Sequence, residues 1–255
     1  MRLQLKIAPM LLFASSICFG QMHRGTSVFA YCFRDAIVIG ADSKFTTFDK
    51  NDRLSGSGYG CKIFRGSDSV YFAISGNAIP FIEGENLIEK DAREACKAGT
   101  NLSAVASLFK VRVVNTLEPF TGAIQRLIAG GVRGDFVSVA FFAFENNVAS
   151  SYVLKFHDIN ILKLKDTSLI VGKELKATRY PAKIQLGNTS EIDKFLSAHP
   201  AYLGHGRDSI TVEINNLIGL EILAHPEAIG GGISILCIYP GKYEWWESGC
   251  ECKSF

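Results

Sequence analysis

Two apolar runs near the start of the chain constrain it more than anything else. Val28-Phe29-Ala30-Tyr31-Cys32-Phe33 and Ala36-Ile37-Val38-Ile39-Gly40-Ala41 flank the short polar turn Arg34-Asp35. Runs rich in β-branched and aromatic residues around such a turn predict a hairpin of buried strands. Gly25-Thr26 opens the first run, and Asp42-Ser43-Lys44 closes the second.

Those flanking residues carry a chemical possibility. A threonine hydroxyl is a weak nucleophile until a base takes its proton. If Thr26 becomes the first residue of a mature chain, its own α-amine can be that base. An α-amine titrates at about 7.7–8.0, close to working pH. A nearby lysine ammonium holds that amine neutral, an aspartate orients the lysine, and a backbone N–H receives the oxyanion.

The residues needed are present in order. Gly25-Thr26-Ser27-Val28, Gly40-Ala41-Asp42-Ser43-Lys44, Cys61-Lys62-Ile63-Phe64 and Ala73-Ile74-Ser75-Gly76-Asn77-Ala78 together resemble the proteasome β-subunit family. That family belongs to the N-terminal-nucleophile hydrolases and includes the bacterial HslV peptidase. The resemblance implies an α+β fold, a four-layer αββα sandwich. It puts Thr26 at the nucleophile, Asp42 at the aspartate sixteen residues on, Lys62 at the lysine and Gly76 at the oxyanion-hole glycine. Lys62 falls about four residues later than the family's spacing, after the Gly/Ser-rich stretch 54–60. Gly204-His205-Gly206 resembles a turn beside the nucleophile. Glu227, followed by Ala228-Ile229-Gly230-Gly231-Gly232, resembles an acidic residue before a Ser-Gly-Gly. Glu227 replaces the usual Asp, Gly230 the usual Ser, and Arg207 or His205 stands near a usual supporting serine. Ile74 falls near the floor of the specificity pocket. The resemblance is specific at 25–44 and 61–78, moderate at 204–232, and weaker between about 120 and 200.

Residues 1–20 read as a secretory signal peptide. Arg2 and Lys6 precede the apolar run 7–13, and small residues follow. The run is too short to span a bilayer. A secreted or periplasmic location follows, with a short propeptide over 21–25 and one domain over 26–255. The formal charge of +2 falls to zero once Arg2 and Lys6 leave, and no basic block remains, which argues against a nucleic-acid partner. The same reading expects no cofactor, no metal and no membrane association after signal removal. A homo-oligomer stays open.

Six of the seven cysteines survive loss of the signal. In an oxidising compartment Cys250 and Cys252 are the best candidates for pairing, though not with each other. Cys32 and Cys237 lie in apolar strands and read as small buried hydrophobes. Cys250-Glu251-Cys252 lacks the second half of a zinc site.

Along the rest of the chain, Lys62–Phe64 and Val70–Ser75 read as strands. Residues 45–60 read as loop or hairpin arm. Two helices follow, the second capped by Asn101 or Ser103. Its stripe Leu102, Val105, Ala106, Phe109, Val113, Leu117 has helical spacing and reads as core rather than as a partner-binding face. Further strands are expected at 136–144, 150–156 and 161–171. A short helix is expected within 185–199 and a longer one over 209–223, with a closing strand pair around Pro240-Gly241.

The function expected from these residues is an exported, self-activated amide hydrolase, a threonine peptidase, acting on a peptide or small amide. A small-molecule amidase or acylase on the same fold is one alternative. A catalytically silent scaffold or assembly subunit is another.

Overall fold

A computed structural model describes residues 21–48, 54–76, 79–82, 84–129, 135–156, 171–176, 182–202, 209–247 and 252. The first strands are β1 (Gln21–Arg24), β2 (Ser27–Cys32), β3 (Ile37–Asp42), β4 (Lys44–Phe48) and β5 (Leu54–Tyr59). Next come β6 (Ile63–Arg65), β7 (Val70–Ser75), β8 (Ile79–Ile82) and β9 (Glu85–Asn86), then helices α1 (Leu87–Ala98), α2 (Leu102–Leu117) and α3 (Thr121–Ala129). The remainder is β10 (Val137–Glu145), β11 (Val148–Phe156), β12 (Val171–Lys176), β13 (Ala182–Gly187), α4 (Ser190–Ala198), α5 (Ile210–Ala224), β14 (Ile233–Tyr239) and β15 (Lys242–Glu247).

The predicted hairpin is β2–β3, in register from Val28 against Ala41 to Cys32 against Ile37. Strands around it build the sheet β13-β2-β3-β14-β15. A second sheet runs β12-β11-β10-β7-β6. Side chains alternate across a strand, and here both faces are covered. On one side of β2, Val28, Ala30 and Cys32 join Tyr71, Ala73, Ala140 and Phe142 of the second sheet in a single cluster. On the other side, Phe29 and Tyr31 join Ile214, Leu217 and Ile218 of α5 and Ile192 of α4. This explains why the run shows no polar alternation, although the sheet is antiparallel.

The second sheet buries its other face under α1 and α2. Phe72 and Phe141 meet Phe109 of α2 there, with the Phe109 and Phe141 ring centroids 5.3 Å apart. Every residue of the α2 stripe belongs to this cluster. Asn101 caps α2, accepting the Ala104 N–H at 2.9 Å, and Asn86 caps α1 through the N–H groups of Ile88 and Glu89. Each fully buried Phe contributes about 1.5–3 kcal/mol by removal from water.

The third sheet is β5-β4-β1-β8-β9: of the two readings of 45–60, loop or hairpin arm, the described residues take the hairpin arm, and the segment read as a propeptide contributes a strand. Strands β4 and β5 pair antiparallel, and Gln21–Arg24, upstream of Thr26, is the middle strand of that sheet. His23 pairs with Thr47 on one side and Ile79 on the other.

The short helix expected within 185–199 is α4, Ser190–Ala198, which follows the end of β13 at Gly187. The expected strand at 161–171 falls mostly on 157–170, outside the described residues, and β12 starts at Val171. Among the described residues no helix is long and apolar enough to cross a membrane.

Candidate active site

Thr26 stands at the junction between β1 and β2, 5% exposed, where the sheet β5-β4-β1-β8-β9 meets the β2–β3 hairpin. Gly25 precedes it with φ +85°. A Cβ at Gly25 would lie 2.0 Å from the Ala228 carbonyl oxygen, so only glycine fits. The Thr26 hydroxyl donates to the Gly25 carbonyl oxygen at 2.5 Å. The nucleophile candidate therefore rests against the bond it would cleave.

Asp42 closes β3 and is 1% exposed. Its Oδ1 accepts the Ser27 N–H at 2.8 Å, and its Oδ2 accepts the N–H groups of Gly230 at 3.1 Å and Lys44 at 3.2 Å. Gly230 returns the contact, since its carbonyl accepts Ser43 N–H at 3.2 Å and Lys44 N–H at 2.9 Å. This interlock ties the end of β3 to the loop after α5.

Lys62 precedes β6, and its side chain runs inward. The ammonium donates to Asp42 Oδ1 at 2.8 Å, to the Lys44 carbonyl at 2.5 Å and to the Gly25 carbonyl at 3.2 Å. All three donors are thereby used. Burial holds the Lys62 ammonium below the ordinary lysine range, while the Asp42 carboxylate beside it pulls the other way. Strands β4 and β5 lie between Asp42 and Lys62 in sequence, and the lysine reaches Asp42 at 2.8 Å.

Gly76 follows β7 and lines the same cavity as Thr26 and Lys62. A Cβ there would lie 2.2 Å from the Phe136 carbonyl oxygen, so this close passage of two chain segments also needs glycine. The cavity has a volume of about 230 Å³, and Phe45, Phe64, Ile74 and Ile79 supply its apolar wall. Asn86 and Glu89 of the α1 start reach its far side.

Glu227 is not brought in. Its side chain is 74% exposed, and its carboxylate lies 3.9 Å from His225 Nδ1. The glycines after it do the local work instead, through the Gly230 contacts to Asp42 and Ser43. Gly204, His205, Gly206 and Arg207 lie outside the described residues.

Two features of the site, at Ser75 and Gly187, have no local signal in the sequence, and a third supplies the partner of Cys252, which was expected to pair. Ser75 is fully buried, and its hydroxyl has no partner among the described residues. A Cβ on Gly187, where φ is +81°, would sit 2.6 Å from that hydroxyl and 2.0 Å from the Thr26 carbonyl oxygen. Thus Gly187 lets β13 close over Thr26, whose carbonyl accepts the Asn188 N–H at 2.9 Å. The third feature is a disulfide from Cys61, one residue before Lys62, to Cys252. Cys32, Cys96 and Cys237 are buried and form no disulfide. Cys250 lies outside the described residues.

No protein-family model matches the chain, and no curated protein matches its sequence. Among the described residues no three His, Cys, Asp or Glu side chains come together as metal ligands.

Proposed function

We propose that this chain is the precursor of a threonine-type N-terminal-nucleophile amide hydrolase with a four-layer αββα fold, related to proteasome β-subunits. It is exported after loss of residues 1–20 and activates itself by cleaving Gly25–Thr26. One observation carries this reading. The Gly25 carbonyl oxygen holds both the Thr26 hydroxyl, at 2.5 Å, and the Lys62 ammonium, at 3.2 Å, and Lys62 is fixed by Asp42.

The cleavage follows from that geometry. Thr26 Oγ1 adds to the Gly25 carbonyl carbon, and the developing oxyanion meets the Lys62 ammonium. The C–N bond breaks, its nitrogen takes the hydroxyl proton, and Gly25 becomes an ester on Thr26. Water hydrolyses the ester, releasing the leader carboxylate and leaving a free Thr26 amine and hydroxyl. In the mature enzyme that amine takes the hydroxyl proton as Oγ1 adds to a substrate amide carbon and the Gly76 N–H receives the oxyanion; the C–N bond then breaks, the departing amine takes the proton, and water hydrolyses the Thr26 ester to release the acid. Lys62 favours the neutral amine by like-charge repulsion.

A peptide substrate is favoured over a small amide by the leader itself. Residues 21–24 pair with β4 on one side and β8 on the other. Their departure leaves a slot one strand wide, which an extended chain can fill by main-chain hydrogen bonds. The apolar cavity beside Thr26 suits an apolar side chain next to the scissile bond. A silent scaffold accounts less well for the pair Asp42–Lys62, because a buried ion pair adds little stability for its desolvation cost.

N-terminal sequencing and intact mass of the purified protein test this directly. The wild-type chain is expected to begin at Thr26, and Thr26→Ala is expected to keep its leader and hydrolyse no peptide. Normal processing of Thr26→Ala would sink self-activation.

A further inference from the structure

Lys62 belongs to no strand. It ends a short link, Gly60-Cys61-Lys62, that joins β5 of the third sheet to β6 of the second sheet. Two backbone bonds hold the link: Gly60 N–H to the Ser43 carbonyl at 2.8 Å, and Ile74 N–H to the Lys62 carbonyl at 3.1 Å. Beside these bonds and those of the Lys62 ammonium, the covalent tie is the Cys61–Cys252 disulfide, which spans 191 residues of sequence.

The far end of that tie is itself anchored beside Asp42. Cys252 is 3% exposed, and its sulfur lies 3.5 Å from the Ser234 hydroxyl of β14. In the β14–β3 register Ser234 stands opposite Ala41, and Ile233 opposite Asp42. One bond thus connects the segment carrying the lysine to the strand pair carrying its carboxylate. The leader's departure strengthens the dependence. β1 is the inner partner of β4, so cleavage at Gly25 leaves the β4–β5 hairpin with a bare edge. Lys62 then also loses the tethered Gly25 carbonyl as an acceptor.

We infer that the Cys61–Cys252 disulfide is a positioning cross-link for Lys62, and that its reduction switches the processed site off. The inference rests on the hydrolase reading above. The step is an ordinary thiol–disulfide exchange. A dithiol reductant supplies two electrons and two protons, the S–S bond breaks, Cys61 and Cys252 become thiols, and the reductant closes to its own disulfide. The groups facing Lys62 are the Asp42 carboxylate and the carbonyls of Lys44 and Gly25. Glu89 lines the same cavity and is paired with Arg93 at 2.8 Å, while the Lys44 ammonium is turned to the Pro226 carbonyl.

The test compares oxidised and dithiothreitol-reduced protein, with circular dichroism establishing that both are folded. The Lys62 side chain is titrated by NMR after isotope labelling of lysine, its signal assigned with Lys62→Arg. Release from the cross-link exposes the ammonium to water. Its titration should therefore move up toward the ordinary lysine value. In the same samples kcat on a peptide should fall about tenfold with KM within about twofold, and reoxidation should restore both. The double variant Cys61→Ala/Cys252→Ala should match the reduced protein. An unchanged Lys62 titration, or unchanged kcat in a reduced enzyme, overturns the inference. So does global unfolding on reduction and in the double variant, because the bond would then be a general staple. A shifted Lys62 titration in a protein that hydrolyses nothing in either state supports the cross-link and removes the hydrolase reading instead.

Discussion

Two of the buried carboxylates, Asp42 and Glu221, are used differently. Asp42, at the end of β3, meets a cation at 2.8 Å beside a cavity. Glu221, on α5, is fully buried and meets main chain. Its Oε1 accepts the N–H groups of Glu191 at 2.7 Å and Ile192 at 2.8 Å, at the first turn of α4. Thr189 makes no side-chain cap there, so a residue from another helix performs the capping. Burial raises the Glu221 carboxyl above its ordinary value of 4.5, opposed by those two N–H groups. Under the proposed function, what separates the two acids is that the partner of Asp42 faces a cavity and the Gly25 carbonyl, whereas the partners of Glu221 are helix N–H groups.

Breaking the first pair should give the largest effect. Lys62→Ala removes the cation on the Gly25 carbonyl and leaves Asp42 buried without it. Processing and peptide turnover should each fall about 10³-fold. Urea unfolding should report a loss of about 3–5 kcal/mol. Glu221→Ala is the matched change at the other carboxylate. Two helix N–H groups lose their acceptor, for a loss of about 2–3 kcal/mol, while turnover per folded molecule stays within about twofold. Equal catalytic losses in the two variants would erase the distinction.

A finer contrast uses pH. The folded state holds the Glu221 proton more tightly than the unfolded chain, so it binds more protons between 4.5 and the raised folded value. Stability contributed by this group therefore falls as pH rises through that window. Glu221→Gln should remove that slope in a pH series of melting curves, with a loss of about 1 kcal/mol at low pH. A retained slope would assign it to another group. The smallest effect belongs to the exposed acid. Glu227→Gln should leave turnover within about twofold and stability within about 0.5 kcal/mol. A tenfold loss of turnover would return Glu227 to the site.

Much of this molecule was readable before any coordinates. The hairpin around Arg34-Asp35, the α2 stripe and its Asn101 cap are local patterns, set by side-chain periods of 2 and 3.6 residues and by turn and cap chemistry. The meeting of Thr26, Asp42, Lys62 and Gly76 was legible only through motif resemblance, since periodicity alone leaves Lys62 a strand-end lysine. The tertiary structure decided the rest. It made Gln21–Arg24 a central strand, joined Cys61 to Cys252, set Gly187 against Thr26, gave the α4 cap to Glu221 and left Glu227 in solvent. Each of these joins residues far apart in the chain or turns on the packing around one side chain. Such contacts depend on how whole elements stack, and no local period or turn rule encodes them.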